Sequence, residues 1–162
     1  MKTKNERMQD FVRYYRDKTG KVSVDMHEVA AEAKRMGWNL PKPKSALDLL
    51  AQQFSGAQRE ETRKDEVTGH PYRANLAVSE WASGTQTVFW TDIDQASRNV
   101  AHKSLTQYRE QMIGEAVTLT LTADHWNRHN PEEEPINPEL DFTDDVTWRL
   151  NTPDEDQDEQ AA

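Results

Sequence analysis

The sequence predicts a mainly helical α+β chain. Its order is helix, short strand, two helices and a β-hairpin, followed by a long helical region and an acidic C-terminal strap. Three observations carry this. Apolar residues recur at helical spacing over residues 5–18, 26–36 and 46–59. Alternating residues flank a glycine-containing turn between Tyr72 and Trp90. A further helical stripe then starts at Ile93 and reaches Ile113.

In residues 5–18, Met8, Phe11, Val12 and Tyr15 share one side, Arg7, Asp10, Arg13 and Asp17 lie away from it, and Gly20 ends the helix. Val22 and Val24 alternate with Lys21 and Ser23 as a short strand. Asp25 stands three residues before Glu28, a capping-box spacing, and Met26, Val29, Ala30, Ala33 and Met36 follow at helical intervals. Gly37 suits the left-handed position after the last turn. Two prolines in residues 39–44 break the chain. Ser45 and Asp48 repeat the capping-box spacing, and Leu47, Leu50, Phe54 and Ala57 form the stripe expected to be buried.

Residues 60–66 carry both signs of charge and residues 68–71 are turn chemistry, so a helix end and a loop are expected, with His70 on the surface. Tyr72, Ala74, Leu76 and Val78 alternate along one strand, a turn covers 80–84, and residues 85–90 return. Trp81 sits at that turn. Packing of its indole against the domain is the expectation, and stacking on a base is the functional alternative. Thr91 or Asp92 is the expected cap of the next helix, with Asp94 near its third position. Residues 117–122 alternate like a strand. Met112, Ala116, Leu119, Ala123 and Trp126 equally fit a helix running to Asn130 and ended by Pro131. The helix is preferred, because no partner strand is near.

Four segments result: 1–92, 93–131 as a helical extension, 132–150 as an acidic-aromatic strap, and 151–162 as a disordered acidic tail. Ile136, Leu140, Phe142, Val146, Trp148 and Leu150 are too many apolar groups for a free linker. They are expected to strap over the globular part or to dock on another protein.

At 162 residues, 35% hydrophobic and 30% charged, the chain suits one compact domain with a small appendage. The absence of cysteine excludes disulfides, thiolate metal sites and a cysteine nucleophile, and fits a reducing cytoplasm. No apolar run approaches the ~20 residues of a membrane span, and no signal core follows Met1, so a cytoplasmic protein without membrane contact is expected. Net charge is −9, unevenly spread. Residues 1–75 hold 15 Lys+Arg against 11 Asp+Glu, and residues 76–162 hold 5 against 18. The mildly basic half can meet phosphates; the acidic half repels them.

The third helix presents Asp48, Gln52, Ser55 and Arg59 opposite its apolar stripe. Gln, Ser and Arg reach base edges or phosphates, while Asp48 opposes phosphate contact. Lys42, Lys44 and Ser45 stand at the helix entrance, where the dipole favours an anion. With Arg73 and Trp81 of the hairpin, these residues are the candidate nucleic-acid contacts. His125 and His129, four apart on a helix, are an alternative metal pair. Trp126 stands where a zincin needs glutamate, so the general base of that mechanism is missing. Asp141, Asp144 and Asp145 have no fixed geometry, and no triad, phosphate-cradling loop or dinucleotide fingerprint occurs. No catalytic residue, cofactor or resident metal is expected.

In this order of elements, residues 5–90 resemble a winged helix-turn-helix DNA-binding domain. The chain as a whole, above all Ala123-Asp-His-Trp-Asn-Arg128 and residues 140–149, is similar to an uncharacterised bacterial protein family of unknown function. The first resemblance implies a non-enzymatic accessory or regulatory protein that binds double-stranded DNA. Helices after a wing often pack against a second copy, which implies a homodimer. The alternative is a protein-interaction adaptor, or an acidic mimic of nucleic acid, acting through residues 136–150.

Overall fold

The computed structural model describes residues 1–152; the expected disordered tail lies, beyond Thr152, outside the described residues. Among the described residues the chain is α+β and mainly helical, with five helices and two small antiparallel sheets. Contacts divide it into two compact units, Met1–Leu49 and Leu50–Ala162.

The first unit is built on α1 (Lys4–Thr19) and α2 (Met26–Arg35). Thr3 and Glu6 close a capping box ahead of α1, the Glu6 carboxylate accepting the Thr3 N–H at 2.6 Å. Gly20, at φ 69°, ends the helix where a side chain would be strained. Phe11, Tyr15 and Val29 form the core, with Val12, Val24 and Ala33 packed against it, and the Trp38 ring meets Phe11 at a tilt, 5.2 Å between centroids. An ion pair ties the helices, Lys18 to Glu32 at 2.7 Å, and Lys21, just past the end of α1, pairs with Glu28 at 2.8 Å. Arg35 and Lys18 together hold the Glu32 carboxyl down at about 2.

Two expectations fail here. The short strand at Val22 and Val24 does not form: a strand needs a ladder partner, and Val24 turns to the helix core instead. Asp25 caps α2 through the His27 N–H, while Glu28 turns to Lys21 and Tyr15, so no capping box closes. Gly37, at φ 89°, ends α2 as expected.

Helix α3 (Ala46–Glu60) has its expected length, and the Ser45 hydroxyl accepts the Asp48 N–H at 3.1 Å. Its stripe is not buried. Leu47, Leu50 and Phe54 are all exposed, and α3 has no buried residue.

In the second unit, the helix end and loop expected over 60–71 are instead a hairpin. β1 (Thr62–Lys64) pairs antiparallel with β2 (Pro71–Arg73). Asp65 shapes the turn by accepting the Val67 and Thr68 N–H groups at 2.9 and 2.8 Å. The larger hairpin joins β3 (Asn75–Ala82) to β4 (Thr85–Asp92). Its turn is the two residues Ser83 and Gly84, at φ 51° and 76°, the pair of positive angles that matches strand twist. The turn is therefore shorter than expected. Trp81 lies in β3 opposite Gln86.

Helix α4 (Arg98–His129) starts later than expected. Asp92 still belongs to β4 and holds Arg63, so Ser97 is the cap, accepting the Val100 N–H at 3.3 Å. Residues 115–122 are helical, as preferred. Leu76 and Val78 of β3 are buried, as are Ser104 and Ala123 of α4.

The strap is fastened near its start, where the Asn127 side chain and the Ile136 backbone exchange two hydrogen bonds of 2.8 Å. It then forms α5 (Thr143–Asn151). Asp141 accepts the Thr143 N–H, and Asp144 and Asp145 face the positive helix end.

Candidate interaction surfaces

The larger hairpin has two different edges. The Ile93 N–H bonds the Ala74 carbonyl at 2.9 Å, so bonded pairs fall at Leu76/Thr91, Val78/Phe89 and Glu80/Thr87. The N–H and C=O groups of Ala77, Ser79 and Trp81 therefore point away from β4. Helix α4 plugs this edge. Ser104 donates to the Ala77 carbonyl at 2.7 Å, and the Gln107 amide takes both Ser79 groups, at 2.9 and 3.0 Å. Gln107 thus stands in for one residue of a third strand. On β4 the outward groups of Gln86, Val88 and Trp90 meet no hydrogen-bond partner among the described residues. Residues 85–91 carry no charge and no proline, so this edge lacks the usual guards against strand addition.

At the base of the hairpin, Arg63 bonds Asp92 at 3.0 and 2.8 Å and Asp94 at 2.6 Å. These carboxylates, Asp92 foremost, raise the Arg63 pKa; Arg63 in turn lowers that of Asp92. Tyr72 donates to Asp94 at 3.3 Å, and desolvation pushes its phenol up, with Asp94 adding to the shift. The cluster locks the small hairpin to the large one. Every charge in it has a partner, which suits a structural knot better than a reacting centre.

The candidate nucleic-acid residues fall into two groups. Lys42, Lys44 and Ser45 belong to the first unit, all exposed, with the Ser45 hydroxyl engaged by Asp48 at 2.7 Å. Gln52, Ser55, Arg59, Arg73 and Trp81 belong to the second. There Gln52 and Arg73 are exposed and Ser55 is half-buried. Arg59 lies over the Trp90 ring at 6.0 Å, a contact absent from the sequence reading because 31 positions separate the two. Trp81 is 74% exposed, so its expected packing against the domain does not occur. Glu60, Glu61 and Glu80 of the second unit are exposed as well.

A shallow cleft opens between the hairpin and α4, lined by Val78, Phe89 and Val100, with Glu80 and Lys103 paired at its rim at 2.7 Å. The rings of His125 and His129 stack at 4.1 Å, and among the described residues no third His, Asp or Glu joins them in a metal-sized group. Among the described residues no helix is long and apolar enough to cross a membrane.

The C-terminal segment exposes a run of large apolar side chains. Ile136, Leu140, Phe142, Val146, Trp148 and Leu150 are each 43% to 53% exposed. Phe142, Val146 and Leu150 stand four apart along one side of α5, with Trp148 on another. Seven acids and a single arginine accompany them over residues 132–150. No family model matches the chain, and no curated protein or solved structure matches it significantly.

Proposed function

We propose that the protein is a non-enzymatic cytoplasmic adaptor that docks on another protein through residues 136–150. One observation carries this reading: the six large apolar side chains of that segment stay open among acids, although Asn127 anchors its start. At about half exposure each, they offer on the order of 600 Å2, a contact at the small, transient end of protein interfaces. The partner it fits has an apolar groove with a basic rim, since a like-charged rim would repel the seven acids. The open β4 edge supports the same class of role.

A photo-crosslinking amino acid at Trp148 tests it in the cells that make the protein. The expected result is a discrete crosslinked species that Val146→Glu abolishes. Its absence, or its persistence in that variant, contradicts the reading.

Winged-helix-like contact with double-stranded DNA is the second reading, favoured by the Arg59–Trp90 stack and the exposed Trp81. It expects a duplex mobility shift at low salt that Arg59→Ala weakens, with a flatter salt slope. No shift at low salt counts against it. The net charge of −9 makes it the weaker of the two.

A further inference from the structure

Helix α4 carries more apolar surface than its own chain covers. Its first turns rest on β3 through Ser104 and Gln107, and Asn127 holds Ile136 near its other end. Leu105, Tyr108, Met112, Leu119 and Trp126 are nevertheless 38% to 59% exposed. At 3.6 residues per turn these five fall within about 60° of arc. Leu105, Met112, Leu119 and Trp126 stand at seven-residue intervals, the spacing of a helix–helix seam.

The middle of α4 is also prepared for burial. Thr118, Thr120 and Thr122 donate their hydroxyls to the carbonyls four residues back, at 3.0, 2.9 and 2.7 Å, which leaves no hydroxyl in need of water. Gly114, Val117 and these threonines are poor helix formers, so packing has to hold this stretch helical.

The stripe is its own complement when reversed. About a two-fold axis between Glu115 and Ala116, Leu105 of one copy meets Trp126 of the other, and Met112 meets Leu119. The same reversal opposes the helix dipoles. A parallel pair would align both dipoles. From Leu105 to Trp126 the strip is about 33 Å long at 1.5 Å per residue. The five side chains leave roughly 500 Å2 open, and with their polar flanks the strip reaches the ~800 Å2 per partner of a stable interface. We infer that the occupant is a second copy of this chain and that the protein is an antiparallel homodimer along this stripe.

Sedimentation equilibrium on the full chain tests this between 1 and 100 µM (about these limits), a range in which a standard interface is occupied. The expected mass is twice the 18.7 kDa of the chain. Met112→Glu and Leu119→Glu both change exposed positions, and each is expected to weaken association at least about 100-fold with unaltered helix content. The chain has no cysteine, so single cysteines report proximity. Glu115→Cys, beside the axis, is expected to crosslink to itself under oxidation, and Val117→Cys, on the other side of the helix, is not. A monomeric parent assigns the stripe to another protein or to a lipid surface and overturns the inference. So does a dimer that survives both glutamates, or one that crosslinks through Val117→Cys and not Glu115→Cys.

Discussion

Replacing Gln107 by leucine tests the edge plug. Leucine keeps the size and helix propensity of glutamine but removes both hydrogen bonds to Ser79. Two such bonds are worth a net ~0.5–1.5 kcal/mol each. Ser79 is half-buried, so water recovers part of the loss. The expected cost is about 1–2 kcal/mol, or a fall in Tm of roughly 5–10 °C for a unit of this size. Urea unfolding with an unchanged slope reads it directly. Gln107→Glu adds a sign check. An ionised glutamate still accepts the Ser79 N–H but faces the Ser79 carbonyl, so its folded pKa rises above the ordinary ~4.3. That variant is therefore weakest at neutral pH and regains stability as pH falls through the raised value. A leucine variant within about 0.3 kcal/mol of the parent, or a glutamate variant insensitive to pH, refutes the account of this edge.

Leu76→Ala or Val78→Ala empties a buried position of β3 and is expected to cost about 2–4 kcal/mol by denaturant unfolding. Ser83→Gly relieves a non-glycine residue at φ 51° and is expected to raise stability by roughly 0.5–1 kcal/mol, measured the same way. The depressed Glu32 carboxyl contributes stability that is fully present above its ordinary 4.5 and is lost as pH falls toward about 2. Acid titration followed at the Trp38 indole by NMR is expected to show that loss, and Glu32→Gln to remove it. Arg63→Ala frees Asp92 and Asp94, so amide exchange in β1 and β2 is expected to accelerate more than exchange in α1.

Much of the secondary structure was legible in the sequence, because it is set by local chemistry. Helices α1 to α3 lie within a residue or two of their periodic stripes, and the β3–β4 hairpin follows its alternation. Thr3 and Glu6 had a readable capping box that the stripe beginning at Met8 obscured. The β1–β2 hairpin was not legible, since three-residue strands are too short to alternate and Asp65 makes its turn without a recognised dipeptide. Asp92 and Ser97 are equally good caps along the chain, and only the pairing of Asp92 with Arg63 in space decides for Ser97. Exposure was the hardest property to read. The apolar stripes of α3, α4 and α5 show which side wants burial, but nothing along the chain says whether its own residues supply the cover.

Comparing what the full chain and a chain lacking residues 136–150 retain, by quantitative mass spectrometry of both purified from the same cells, tests the adaptor reading most directly. The account predicts a protein set held by the full chain and lost from the shortened one, with circular dichroism showing the rest still folded. An identical set on both chains contradicts it.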